Sequence, residues 1–392
     1  MEDVNTIKKQ SENKINKYLS KKCLLIYLMV FVLFFIIFYL LVRPVHADYA
    51  YHVFEIYFDD WLAGDFYAHN NLFRYCMDVC HGFELDLKIS AAIILSVFVL
   101  IRFISFFVFQ NNDSILKKAF LSLTLCIIMT IDFGSLSNTY VGTFVGNIWH
   151  SPTYIAMLAF APACIFLFTE IFIKDVQNQK NYIMLSIFIF LCCLSKPSFI
   201  IAYIPACAIF ILINYFFFHK NPKKLLFDIS KGIIICIPTF IFLIIAYITT
   251  FGVGGGENYI FFDFLGVWSI FSGTKINILI NIIRSFILSL ILLFTNSKIY
   301  NKQKIYYLLF LVISLIYFSF FAETVKYSAG NFAWTYASCG LMFNSFLLID
   351  YFNDKKQEEN KLFRVFVIIF VILQCFTSIR YICALINDII HF

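Results

Sequence analysis

The chain has 392 residues, of which 61% are hydrophobic and only 14% charged, with 51 phenylalanines and a net charge of +6. Soluble domains carry about 25% charged residues, so this composition excludes a soluble enzyme and predicts a protein embedded in a membrane. The lysines lie between apolar runs rather than in one patch, which argues against a nucleic-acid partner. The abundance of Lys, Asn, Ile and Phe is typical of AT-rich bacterial genomes.

Apolar runs follow one another along the chain after a basic tail over residues 1–22, which we expect to be cytoplasmic. A spanning helix needs about 20 apolar residues, and the run at 182–194 is shorter. We predict an all-α polytopic integral membrane protein with about 11 transmembrane helices, forming one multi-spanning domain from 23 to 392. The predicted spans are 23–42, 89–109, 115–133, 152–173, 182–194, 199–218, 232–251, 276–295, 305–322, 332–349 and 362–386.

The placement of lysine and arginine predicts which loops share a side of the membrane. With the N-terminus in the cytoplasm, the cytoplasmic segments and the span ends next to them carry 21 of these residues, and the outer segments carry 6. Cytoplasmic loops of membrane proteins are enriched in Lys and Arg. We therefore predict a multi-pass plasma-membrane protein whose less regular loops, including 43–88, face outward.

The outer loop at 43–88 is the most polar part of the chain and the candidate catalytic loop. It holds eight of the 24 acidic residues and four of the seven histidines. Asp48 lies just beyond the first span, and Asp48, His52 and Glu55 share one face if the segment is helical. Asp59 and Asp60 form a rival pair. A carboxylate at this interface can act as a general base; the structural alternative is a solvated acidic loop with an aromatic belt.

Two further outer segments carry candidate ligands for an anion. Ser151 followed by Pro152 suits the N-cap and first position of a helix, which would place His150 at an anion-favouring helix N-terminus. Lys196 stands in a sharp Lys-Pro turn, where it can meet a phosphate at the membrane surface. The alternatives are an ordinary capped helix and a lysine that reaches the interface by snorkelling.

The remaining candidates are cations in or near spans. Arg284 falls near the middle of its span, where an arginine is costly and indicates a site. Lys326 lies in the last outer cluster, where Glu323 offers a simple ion pair. Arg380 lies near the outer end of the last span and could also snorkel.

Cys76 and Cys80 are the two cysteines in a polar loop, and they lie four residues apart. We interpret them as unlinked thiols. A disulfide across one helical turn, or metal binding with a neighbouring histidine, are the alternatives.

The order of these features resembles that of the GT-C membrane glycosyltransferases, which include the protein O-mannosyltransferases and the bacterial aminoarabinose transferases. The segment from Asp48 to His52 (DYAYH) is similar to the Asp-Glu…Tyr-Tyr stretch of that family, without its second acid. The segment from His69 to Leu72 (HNNL) takes the place of a His-Pro-Pro-Leu type segment, without its prolines. Lys196-Pro197 is similar to a Lys-Pro turn in several such enzymes.

The resemblance implies transfer of a sugar from a polyprenyl-phosphate donor to an envelope or surface-glycan acceptor, a glycan or a lipid, on the outer face. Asp48 would be the base, and Lys196, Arg284 and Arg380 would stabilise the departing phosphate. Some members of the family use a divalent metal ion, which the acidic loop could hold; nothing in the spacing requires one. The alternatives are an O-antigen or polysaccharide polymerase or ligase, and a lipid-linked-glycan flippase or transporter.

Overall fold

The computed structural model describes residues 20–43, 49–54, 70–110, 114–128, 151–249, 259–268, 275–295, 301–324, 331–354 and 360–387, with residues 18 and 149. Of these residues, 87% are helical. The α-helices are α1 (Lys21–Leu41), α2 (Leu72–Gly82), α3 (Leu87–Phe109), α4 (Ile115–Ile127), α5 (Pro152–Phe168), α6 (Gln179–Ser195), α7 (Ser198–Asn214), α8 (Pro222–Tyr247), α9 (Lys275–Thr295), α10 (Lys302–Phe320), α11 (Asn331–Asn353) and α12 (Lys361–Ile386). Further π-helical turns cover Ala50–Phe54, Thr169–Ile173 and Tyr215–His219.

Eight helices of the described residues are long and apolar enough to cross a membrane, so the predicted count of about 11 is not confirmed. The predicted span at 115–133 corresponds to α4, which has only 13 residues. The short span at 182–194 corresponds to α6, whose 17 residues cover about 26 Å at 1.5 Å per residue. Helix α9 has 21 residues, and its bounds match the predicted span at 276–295 to within one residue.

Helix α8 begins ten residues before the predicted span at 232–251. Asn221 caps it by accepting hydrogen bonds from the backbone N–H groups of Lys223 and Lys224, and Pro222 occupies its first turn. An Asn cap followed by Pro is a strong helix start. Capping chemistry therefore extends the helix into a charged segment that hydropathy had assigned to a loop.

Helices α5 and α11 form the centre of the fold. Of the most apolar 18 residues in each span, 89% are buried in Pro152–Ile173 and all are buried in Phe332–Asn353, against 17% in α8 and 22% in α1. Helix α5 packs against α3 and α6, and α11 packs against α7, α9 and α10. The outer helices expose apolar residues such as Ile234 and Leu25, an arrangement suited to contact with lipid.

Segments predicted to share a side of the membrane contact each other. Among the outer segments, the Lys88 ammonium lies 4.3 Å from the centre of the Tyr39 ring. Among the cytoplasmic segments, Lys224 forms a 2.8 Å ion pair with Asp175. The contacts thus agree with the sorting of loops into two faces, while the assignment of one face to the cytoplasm stays a prediction.

A short two-stranded ribbon departs from the all-α prediction. Strands β1 (Ile260–Phe262) and β2 (Phe321–Glu323) pair in antiparallel fashion, with Ile260 opposite Glu323. Strand β2 continues directly from α10, and its carboxyl end lies on the predicted outer side. The ribbon ties the segment before α9 to the end of α10.

Candidate functional site

The N-terminal ends of the two central helices meet on the predicted outer side. The rings of Tyr154 in α5 and Trp334 in α11 lie 4.9 Å apart, centre to centre. Ser151 and Pro152 begin α5 as the sequence predicted, but the Ser151 side chain makes no capping hydrogen bond. Its hydroxyl oxygen is buried and has no partner in the part of the chain that the structure describes. The first turn of α5 is therefore not capped by the side chain of its own Ser151.

Lys196 belongs to the same cluster. Helix α6 ends at Ser195 and α7 begins at Ser198, so the predicted Lys-Pro turn is confirmed. The Lys196 ammonium lies 4.3 Å from the centre of the Trp334 ring, within the roughly 6 Å range of a cation–π contact. The side chain is half-buried rather than extended into solvent.

Arg102 is a site residue that our prediction missed. It lies in α3, is 4% exposed, and donates a 2.8 Å hydrogen bond from Nη2 to the backbone carbonyl of Leu125 in the last turn of α4. The carboxyl end of a helix carries a partial negative charge, so the guanidinium caps α4. Arg102 Nε has no hydrogen-bond partner among the described residues, and no carboxylate there pairs with it.

A small cavity of about 10 Å³ opens beside Arg102. Its lining also includes Val99, Trp149, Ile155 and Leu158. Tyr154 lies close to the guanidinium, and its buried hydroxyl has no partner among the described residues. We call Arg102, Trp149, Tyr154, Lys196 and Trp334 the cation–aromatic cluster.

The first outer loop is anchored at this cluster through Tyr49. Tyr49 is fully buried, and its hydroxyl donates a hydrogen bond to the backbone carbonyl of Trp149. The Trp149 indole N–H in turn donates a 2.9 Å hydrogen bond to the hydroxyl of Ser378 in α12. The indole ring packs on Phe34 and Phe38 of α1. Tyr49 is thus tied to Trp149, one of the residues that line the cavity beside Arg102.

Helix α2 is the second described part of the loop. Its N-cap, Asn71, accepts a 2.9 Å hydrogen bond from the backbone N–H of Arg74. Phe73 and Met77 are buried, while Val79 on the opposite side is exposed. The helix packs against α3, α5 and α6, which agrees with the predicted juxtamembrane helix.

Several predicted site residues lie outside the described residues. These are Asp48, Glu55, Asp59, Asp60, His150 and Lys326. Arg284 lies in α9, but its side chain is not among those described. His52 lies in the π-helical turn Ala50–Phe54, and Arg380 lies in α12; both are half-buried. Of the predicted site residues, Lys196 is the one whose contacts place it in the cluster.

The sequence did carry a signal for Arg102. An arginine within a span is costly and indicates a site, and we applied that rule to Arg284 alone. Tyr49 and Tyr154 carried no comparable signal, because a tyrosine near a membrane interface is common.

No group of three or more His, Cys, Asp or Glu side chains that could hold a metal ion occurs among the described residues. Cys76 and Cys80 are free thiols on α2. Burial, with a smaller contribution from neighbouring Cys80, raises the pKa of the Cys76 thiol. A thiol with a raised pKa supplies less of the thiolate that binds metals.

Comparison with known proteins does not extend this description. The chain matches no model of a protein family, and a search of curated proteins found no similar sequence.

Proposed function

We propose that the protein is a membrane glycosyltransferase that moves a sugar from a polyprenyl-phosphate donor to an envelope or surface-glycan acceptor on the outer face. One observation carries the proposal. Arg102 lies beside the first turns of α5, Lys196 lies over Trp334 at the start of α11, and Tyr49 anchors the acid-rich loop at Trp149. Positive charge beside helix N-termini is suited to a lipid phosphate.

The proposed reaction is an inverting displacement. The acceptor hydroxyl attacks the anomeric carbon of the sugar, the bond from that carbon to the phosphate oxygen breaks, and polyprenyl phosphate leaves. Asp48 takes the proton of the acceptor hydroxyl as general base, with Glu55, Asp59 and Asp60 as the rival acids. Lys196 and Arg102 stabilise the charge on the departing phosphate.

The aromatic members of the cluster suit a sugar substrate. Trp334 is 9% exposed and lies between Lys196 and Tyr154. An indole face offers an apolar surface to a sugar ring, while Lys196 beside it attracts the phosphate. We propose that the other predicted binding residues also contact the substrate. These residues are His52, His150, Arg284, Lys326 and Arg380.

The proposal is tested by binding and by transfer. Farnesyl phosphate serves as a soluble probe for the lipid phosphate of the donor, with the protein in nanodiscs. Lys196→Gln and Arg102→Met should each weaken its binding about tenfold to a hundredfold, because each removes a charge-assisted hydrogen bond. Lys88→Gln is the matched control, since Lys88 also lies over an aromatic ring but outside the cluster.

The base is tested separately with polyprenyl-phosphate sugars in the same nanodiscs. Asp48→Asn should abolish sugar transfer while farnesyl phosphate still binds. Wild-type transfer by Asp48→Asn would remove Asp48 as the base. Unchanged farnesyl phosphate binding by both cation variants would remove the cluster as the phosphate site.

A second candidate function is the movement of a lipid-linked glycan across the membrane. The observation that favours it is helix α4, which ends after 13 residues against the buried Arg102. Transporters commonly build their sites from such interrupted helices. Proteoliposomes that move a fluorescent polyprenyl-phosphate sugar between leaflets without transferring the sugar would select this alternative.

A further inference from the structure

An apolar cavity of about 280 Å³ lies between the end of α5, its π-helical turn and helices α6, α7 and α8, away from the cation–aromatic cluster. Its walls include Phe172, Ile189, Tyr203 and Gly232. A dry apolar cavity of about 150 Å³ is already enough to bind benzene. Water does not fill such a space, because it finds no polar partners there. The cavity is therefore suited to a hydrocarbon chain.

A small polar cavity lies next to this space, towards the predicted cytoplasmic side. Ile211 lines both, and the polar cavity also contains Asn214, Asn221, Lys224 and Asp228. Asn214 is only 4% exposed, and its Oδ1 atom has no hydrogen-bond partner among the described residues. A buried acceptor without a donor is costly, so this atom indicates a missing ligand group.

Charge around the polar cavity has both signs. The Asp228 carboxylate, 6% exposed, lies 3.8 Å from the Lys224 ammonium, which also pairs with Asp175 at 2.8 Å. Lys302, at the start of α10, interacts electrostatically with Lys224 and Asp175. The N-terminus of α8 begins at the same place, behind its Asn221 cap. Lysines and a helix N-terminus favour a phosphate, and the buried acceptors favour an ammonium donor.

We propose that this composite cavity binds phosphatidylethanolamine from the membrane leaflet on the predicted cytoplasmic side. One acyl chain fills the apolar cavity. The ethanolamine ammonium donates to Asn214 Oδ1 and faces the Asp228 carboxylate, and the phosphate lies near Lys224 and Lys302. The inference uses different residues from the proposed glycosyltransferase site and does not depend on it.

Gly232 offers a clean way to block the apolar cavity. A Cβ atom added at Gly232 would meet only Ile211 Cδ1 at 3.8 Å, an ordinary contact. Gly232→Leu therefore fills the cavity from the backbone, and it replaces glycine by a better helix former. Gly232→Ala makes the same backbone change but leaves most of the cavity open, so it is the matched control.

Native mass spectrometry of the delipidated protein, titrated with defined phospholipids, tests the proposal. The wild type should bind phosphatidylethanolamine about tenfold more tightly than phosphatidylcholine, whose headgroup has no hydrogen-bond donor. Gly232→Leu should weaken this binding at least about tenfold, and Gly232→Ala less than about threefold. Asn214→Leu should make the affinities for the two lipids equal, because it removes the acceptor of the ethanolamine ammonium. This variant tests the proposal even if Gly232→Leu does not fold.

Four results would overturn the proposal. The first is equal binding of both lipids by the wild type, and the second is unchanged binding by Gly232→Leu. The third is displacement of phosphatidylethanolamine by farnesyl phosphate, which would assign the cavity to a prenyl chain. A preference for phosphatidylglycerol would also contradict it, since that headgroup carries no ammonium. Failure of farnesyl phosphate binding at the cation–aromatic cluster leaves all these measurements unaffected.

Discussion

The guanidinium of Arg102 holds the end of α4 through a 2.8 Å hydrogen bond to the Leu125 carbonyl. This buried charge has no acidic partner among the described residues. Removing a guanidinium from water costs several kcal/mol, whereas one hydrogen bond to a charged group contributes about 1.5–3 kcal/mol. The arrangement therefore does not maximise stability, which agrees with a functional role for Arg102.

Arg102→Met should consequently keep the thermal midpoint of the protein or raise it. The substitution removes the desolvation cost of a buried charge, and this gain in stability offsets the loss of the hydrogen bond to Leu125. Differential scanning fluorimetry in detergent measures the midpoint, and Arg102→Lys is the control because it keeps the buried charge. A fall of more than about 8 °C for Arg102→Met, beyond what one hydrogen bond explains, would assign Arg102 a structural role instead.

The contact between Lys196 and Trp334 should show measurable coupling. A double-mutant cycle with Lys196→Gln and Trp334→Leu, measured through the free energy of unfolding, should give a coupling energy of about 0.5–2 kcal/mol. The reason is that Trp334 is buried and Lys196 is half-buried. The pair of Lys88 and Tyr39 is the comparison and should give less, because its aromatic ring is exposed whereas Trp334 is buried. Equal coupling in the two cycles would mean that burial does not strengthen the Lys196 contact.

Tyr49→Phe should loosen the anchor of the first outer loop. It leaves the buried carbonyl of Trp149 without the Tyr49 hydroxyl, at a cost of about 1–3 kcal/mol. Hydrogen exchange of the backbone amides in Ala50–Phe54 should accelerate, and sugar transfer should fall while farnesyl phosphate binding holds. Tyr75→Phe removes an exposed hydroxyl that bonds Asn70 and should leave all three measurements unchanged.

Acid should abolish the contribution of the Asp175 carboxylate to the stability of the folded protein. The hydrogen bond from Lys224 lowers the pKa of this carboxyl below its usual value of 3.8. A lowered folded-state pKa stabilises the protein above about pH 3.9, and the stabilisation is lost as the pH falls through the folded-state pKa. Because the Asp175 side chain is 55% exposed, we expect its ion pair to contribute less than about 1 kcal/mol to the free energy of unfolding.

Thermal midpoints of Asp175→Asn and the wild type should therefore differ slightly at pH 7, and the difference should shrink as the pH falls below 3.8. A difference that does not shrink at all below this pH would show that the substitution acts through packing and not through the ion pair.

The orientation of the chain is tested through Cys76 and Cys80. A membrane-impermeant maleimide added to intact cells should label these thiols if the loop at 43–88 faces outward. Labelling of Cys76 should be slow and accelerate with pH, because burial raises the pKa of its thiol. The variant with both residues changed to Ser is the control. Labelling that requires broken cells would reverse the predicted topology.

Much of the helical architecture could be predicted from local chemistry. Apolar runs set most helices, and the Ser151–Pro152 start of α5 and the turn at Lys196 follow from the residues themselves. The prediction failed where capping or tertiary contacts set a boundary. Asn221 starts α8 ten residues before the apolar run, and α4 ends at the depth of Arg102.

By itself, the sequence determined that the chain is helical and apolar enough for a membrane, because hydropathy is a local property. Which loops share a face stays a prediction from the placement of charge. Only the tertiary structure decided that Arg102, Trp149, Tyr154, Lys196 and Trp334 lie together. They come from distant segments, and their meeting depends on how α3, α5 and α11 pack. The same packing leaves the apolar cavity beside Gly232, since a void belongs to no single helix.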